Sequence, residues 1–222
     1  MLRSALLLVA ALLSAACATV PDGAYFPKAD HPSTLAVSHG LYRAAQAAGE
    51  DPARYSFALV KSKQITALTH DNATFYVSDG LARQPRATIE PLLAHEVAHE
   101  VLGHVGQRRA LTTGLSTGFT VLGFVVPGVG LMDWVVSPLV VRAFTRDQEI
   151  AADLKAVEIL RSMGYERPRR ALADALRAAH VVNGPPRGGL LATEPALDDR
   201  LAALEPIEPL PEYAARPPAA AR

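Results

Sequence analysis

A single cysteine, Cys17, in 222 residues excludes a disulfide framework within the chain. Net charge is missing as well. The 22 basic residues balance 22 acidic ones and no basic run stands out, so nucleic acid is not an expected partner. With 50% hydrophobic residues, the length suits one sizeable domain with tails.

That lone cysteine has its own setting. Residues 1–16 read as an export signal: Arg3, an apolar run over 5–13, then Ser14, Ala15 and Ala16 before Cys17. A run this short does not comfortably span a bilayer. The ending resembles a bacterial lipobox, in which the Cys becomes the lipidated first residue; Ser14 departs from the usual aliphatic residue, and an ordinary cleaved signal is the alternative. Ala18 after the Cys fits sorting to the outer membrane, on its periplasmic side. Residues 17–32, rich in Pro and Asp, read as a linker, 33–204 as the folded domain, and 205–222 as a disordered Pro- and Ala-rich tail.

Within the domain, helical periodicity covers 34–48, and strand-like segments occupy 55–61, 64–69 and 73–78. His31, His39 and His70 read as solvated or turn residues. Thr88 is a natural cap for the next helix, with Glu90 and Pro91 in its first turn and Ile89, Leu92, Leu93, Val97, Val101 and Val105 on its buried side.

That helix carries His95-Glu96-Val97-Ala98-His99. Four residues advance the helix to within about 40° of the starting face, so the two imidazoles can grip one ion. Zn²⁺ favours neutral imidazoles and, in catalytic sites, three protein ligands with one position open to water. The spacing therefore predicts a metalloprotease in which Glu96 takes the proton of an attacking water and hands it to the leaving amine.

The third ligand must come from elsewhere. In an unbroken helix, His104 lies about 140° round from His99 and points away. Leu102 and Val105 stand where metzincins have Gly and a third His, which excludes that family. Peptide deformylases use a Cys ligand, and Cys17 is in the export signal. A second helix offers carboxylates. Thr145 and Gln148 have capping-box spacing, followed by Glu149-Ile150-Ala151-Ala152-Asp153. Glu149 and Asp153 share one face, and the alanines allow close approach, so Glu149 can reach an ion while Asp153 accepts the outer N–H of a ligand His. Two solvated carboxylates are the bland alternative.

Gly80-Leu81, the run from Leu93 through His99 to Gly103-His104, and Arg146, Glu149, Ala152 and Asp153 together resemble peptidase family M48, which includes CAAX prenyl endopeptidases and HtpX-like and BepA-like proteases. The resemblance spans roughly 56–204. It implies a mostly helical α+β, zincin-like domain with a small sheet beside the His-Glu-His helix. The implied gluzincin-type site holds one zinc per chain on His95, His99 and Glu149, with Glu96 as base and acid and Asp153 behind a ligand.

From Ala110 to Met132 no residue is charged. One membrane crossing there would put Glu149 on the opposite side from the histidines, and the 11 residues 134–144 cover only about 16 Å of a roughly 30 Å core, too little for a return. A helical flap over the cleft or at a bilayer surface is preferred, with core burial as the alternative. His180, lacking any partner motif, reads as structural.

Thr193-Glu194-Pro195 and Arg200 resemble the Thr-His-Pro and downstream Arg of the BepA-like subgroup, with Glu194 in place of His. Glu194 is either a displaceable fourth zinc ligand that plugs the site or a helix-start carboxylate. Arg200 either holds that loop or polarises a substrate carbonyl. The helical repeats of BepA-like proteins are absent from the sequence that follows.

Taken together, these features predict a lipid-anchored zinc endopeptidase that cuts unfolded or misassembled envelope proteins. The strand 74–78 is expected to offer its edge to extended substrates. A lipoprotein chaperone or assembly factor with a closed or weakly active site is the alternative.

Overall fold

A computed structural model describes residues 20–70, 72–108, 110, 144–184 and 196–210. The export signal with Cys17, the apolar stretch beyond Ala110, Glu194 with its neighbours, and the end of the tail lie outside the described residues. No helix among those described is long and apolar enough to cross a membrane.

Among the described residues the domain is mostly helical with one four-stranded sheet in the order β1-β2-β4-β3. Strand β1 (Ala24–Tyr25) lies inside the expected linker and pairs antiparallel with β2 (Ser56–Val60). Helix α1 (Pro32–Ala47) begins slightly before the expected 34–48 because His31 accepts the Ser33 amide and Pro32 pre-sets the first turn. Strands β3 (Ala67–His70) and β4 (Thr74–Ser78) form a hairpin whose turn passes Asn72 and Ala73, both at positive φ. His70 therefore ends a strand.

Strand β4 pairs parallel with β2 on one side and antiparallel with β3 on the other. This corrects the expectation that 74–78 offers a free edge, because both of its hydrogen-bonding sides are filled. The edge next to the His-Glu-His helix is β3.

The β2–β3 connection crosses the short helix α2 (Asp79–Ala82) so closely that a Cβ on Gly80 would lie 2.2 Å from the Gln64 carbonyl oxygen. Asn183 bonds both the amide and the carbonyl of Ile65, at 2.8 Å each, which holds this connection from the far side.

Helix α3 (Arg86–Val101) is the centre of the molecule, buried on nearly every side from Ile89 to His99. It starts after Pro85 with no side-chain cap, so Thr88 is already inside the helix and does not cap it. Glu90, which the sequence places in the first turn, is 1% exposed. Arg43 of α1 bonds both of its carboxylate oxygens at 2.7 and 2.8 Å, Arg86 bonds at 2.8 Å and the Tyr165 hydroxyl at 2.7 Å. Arg43 also reaches the Met163 carbonyl. Burial works against the charge on Glu90, yet Tyr165, Arg43 and Arg86 together hold its pKa below the usual carboxylate range. The cluster clamps α1, α3 and the turn after α4 (Arg146–Ser162).

Helix α3 does not continue to Val105. It stops at Val101, Gly103 takes φ +69°, and residues 104–108 turn helical again. The predicted capping box at Thr145 and Gln148 is formed in both directions and starts α4. Helix α5 (Pro168–Asn183) packs beside it, and the short α6 (Leu197–Ala203) follows. The start of the expected tail is tied down: Glu208 accepts the amides of Arg169 and Arg170 at the first turn of α5, and Leu204 is fully buried.

Candidate metal centre

Two structural choices bring the site together. Four-residue spacing on a buried helix stacks His95 above His99, at 6% and 1% exposure, with their Nε2 atoms 3.1 Å apart. The capping box fixes where α4 begins, so Glu149 stands in its first turn, and Ala152, with no exposed surface, lets α4 press against α3.

Glu149 Oε2 lies 3.3 Å from His95 Nε2, and Oε1 lies 3.5 Å from His99 Nε2. One ligand atom from each residue falls within 4.8 Å of the others. Ligands about 2.0–2.1 Å from a zinc ion stand about 3.4 Å apart, so a cluster of this size and donor set is compatible with such an ion.

The charges suit a cation. Burial opposes ionisation of Glu149, but the two histidines and Arg200 hold its pKa far below the ordinary carboxylate value. Burial pushes His99 down. For His95, burial and Arg200 oppose the proton, yet Asp153 and Glu149 outweigh them and raise the pKa to about 10.

Asp153, one helical turn beyond Glu149 and fully buried, accepts from His95 Nδ1 at 2.8 Å. That bond leaves Nε2 to the metal side. Arg200 reaches in from α6 and donates to both oxygens of Asp153, at 2.7 and 2.6 Å, while its Nη1 stays 3.5 Å from Glu149 Oε2. With two of its nitrogens committed to Asp153, Arg200 serves to hold α6 against the site.

The break at Gly103 changes the standing of His104. The premise that excluded it, an unbroken helix, does not hold. Its ring turns back so that Nδ1 lies 3.0 Å from His99 Nδ1, on the side away from His95. Burial and the neighbouring His99 hold its pKa at about 4, so it is neutral near pH 7 and can accept the His99 Nδ1–H. It supports a ligand and stands outside the trio. Phe144 stacks on the His99 ring with centroids 3.7 Å apart, and the Arg108 guanidinium lies over Phe144. Neither was picked out from the sequence; the Gly103-His104 pair was visible there as a helix-stop signal.

Glu96, half-buried on the turn between the histidines, accepts from the Thr69 hydroxyl at 2.6 Å. The edge strand β3 thus meets the site directly.

The profile of peptidase family M48 covers residues 34–208, including every side chain just described. No curated protein matches the chain. On that coverage, and with a His-His-Glu cluster in place, the chain belongs to peptidase family M48 and is a metallopeptidase.

Proposed function

We propose that this metallopeptidase is a zinc endopeptidase that cuts unfolded or misassembled proteins of the bacterial cell envelope. A lipid on Cys17 would tether it to the outer membrane, facing the periplasm. The observation that carries the zinc reading is the donor set: two imidazole nitrogens and one carboxylate clustered within 4.8 Å, backed by Asp153 and His104. Zn²⁺ held there by His95, His99 and Glu149 would supply a Lewis acid able to bring a water pKa near 7 and to polarise a carbonyl.

The chain's own part is proton handling and alignment. Glu96 takes the proton of the attacking water and returns it to the leaving amine, which needs a carboxylate that reaches both positions. Asp153 and His104 keep the ligand rings turned so that each Nε2 faces the centre.

Substrate recognition by strand addition is reassigned to β3. Ser78 donates to the Thr66 carbonyl at 3.0 Å, and antiparallel pairs alternate, so Leu68 and His70 face β4 while Ala67 and Thr69 turn their backbone groups outward. Among the described residues no strand pairs on that side, and Arg108 donates to the Thr69 carbonyl there at 3.0 Å. An extended chain paired along β3 would be read by its backbone more than its sequence, which suits clearance of unfolded proteins.

The test is Glu96→Gln in the purified protein, with zinc measured by mass spectrometry and cleavage followed on reduced, unfolded casein. Zinc retained with cleavage lost supports the enzyme. Zinc retained with full cellular function would assign the protein to chaperone work. Ala67→Pro removes only an outward-facing N–H and is expected to raise KM while preserving the fold; an unchanged KM counts against β3.

A further inference from the structure

We propose that Thr69 is a positioning residue for the reaction, its hydroxyl anchoring one oxygen of Glu96 so that the other is presented to the reacting water. The proposal rests on Glu96 being the general base, as argued above, and adds the group that aims it.

Thr69 Oγ1 lies 2.6 Å from Glu96 Oε2 and 2.9 Å from the Glu96 backbone oxygen. A hydroxyl has one proton to give. The carboxylate is charged and closer, and its distance falls within the range of charge-assisted O–H···O⁻ bonds. Thr69 is fully buried, so water does not compete for the bond.

The anchor is rigid where the base is not. Thr is β-branched, with a stiff first torsion, and its backbone is set by pairing opposite Phe75 and by Arg108 on its carbonyl. Glu96 is half-buried on a side chain with three torsions. Without a fixed partner it would spread over rotamers, and a base must stand within hydrogen-bond reach of the proton it removes. A single acceptor bond on Oε2 leaves Oε1 for that task.

The placement has a second consequence. Thr69 turns its backbone groups to the outer edge of β3, where Arg108 holds its carbonyl, and its side chain to the base. One residue therefore links the strand that an extended substrate would pair with to the carboxylate that moves the proton, and a shift of the edge on binding is felt at Glu96.

The test uses the full chain with Thr69→Val, which keeps shape and loses the hydroxyl, and Thr69→Ser, which keeps the hydroxyl. Four quantities are measured: zinc per chain, kcat and KM on an internally quenched peptide taken from a casein cleavage site, and affinity of the zinc-loaded protein for benzohydroxamic acid. A hydroxamate chelates the metal and hands a proton to the adjacent carboxylate, so it reports the aim of Glu96 without turnover. For Thr69→Val we expect full zinc, kcat lower by about 10- to 100-fold, KM within about twofold, and hydroxamate binding weaker by about tenfold, in line with loss of one bond to a charged group. Thr69→Ser should recover to within about threefold. Wild-type kcat and hydroxamate affinity in Thr69→Val overturn the proposal. So does a loss confined to KM or to zinc content, or one that Ser does not restore. If the wild type binds zinc but cleaves nothing, the enzyme reading fails while the hydroxamate comparison still decides Thr69; a wild type without zinc overturns both.

Discussion

Asp153 has two partners, and replacing it separates two effects that a single variant would mix. Its Oδ1 accepts from His95 Nδ1 at 2.8 Å, and both oxygens accept from Arg200. In Asp153→Ala the His95 ring loses the acceptor that fixes its orientation, which typically weakens metal binding 10- to 100-fold, or about 1.4–2.8 kcal/mol. The same change leaves Arg200, whose side chain is only 17% exposed, against the His95 ring with Glu149 at 3.5 Å as its remaining ion-pair partner. Removing one partner of a buried pair costs about 3–5 kcal/mol, and at about 2–4 °C per kcal/mol for a domain of this size the melting temperature of the metal-free protein should fall by about 6–20 °C. The double variant Asp153→Ala with Arg200→Leu removes the uncompensated charge. It should regain much of the melting temperature and none of the zinc affinity. Calorimetry of the metal-free proteins and competition with a chromophoric zinc chelator measure the two quantities. Unchanged zinc affinity in Asp153→Ala would refute the orienting role, and a double variant no more stable than the single would refute the account of Arg200.

Three further outcomes follow from other parts of the fold. Glu90 has its pKa lowered by Tyr165, Arg43 and Arg86 against the effect of burial, so its ionisation stabilises the native state above the unfolded carboxylate pKa of about 4.3, and that contribution is lost as pH falls through the lower folded value. Glu90→Gln should melt below wild type at pH 7, by about 2–3 kcal/mol, and the gap should narrow below about pH 4; a gap independent of pH refutes the ionic clamp. His104→Ala should weaken zinc binding about tenfold or more in the same chelator competition, and equal affinity would show that the His99–His104 contact does not orient the ligand. Gly80→Ala drives a Cβ into backbone at 2.2 Å and should prevent a stable fold, whereas Gly103→Ala meets nothing within 4 Å and should cost only about 1–2 kcal/mol for its positive φ; circular-dichroism melts of the two distinguish a steric role from a conformational one.

The parts of this site that could be read from the sequence are those whose geometry is local. The His-Glu-His spacing works within one helix, the capping box within four residues, and the Glu149–Asp153 pair within one turn, so each constrains itself before any tertiary contact is known. What escaped depends on contacts distant in the chain. Glu90 looked like a first-turn carboxylate because its partners, Arg43 and Tyr165, lie 47 and 75 positions away; the clue was a charge inside a run that is apolar on every face. Strand periodicity marks which side chains are buried but carries nothing about strand order, so an edge position for β4 reads as naturally as its actual place between β3 and a parallel β2. At His104 the apolar rhythm through Val105 outweighed the glycine that ends the helix.

The arrangement also explains why one helix can serve a reaction that needs rigidity and access at once. Helix α3 is enclosed by α1, α4 and α5, and its histidines sit on the side facing α4, where Glu149 and Asp153 close around them. The one functional side chain on this helix that is not fully enclosed is Glu96, and it points to β3, the strand whose outward backbone is not paired by another strand among the described residues. The three side chains of the metal cluster are thus placed where burial is deepest, and the carboxylate proposed to exchange protons is placed at the boundary with the β3 edge. A hydrogen-bond donor from the edge strand satisfies one carboxylate oxygen there and keeps the group aimed. Access and alignment at Glu96 therefore depend on the same strand, which is why a change at Thr69 is expected to act on turnover before it acts on stability.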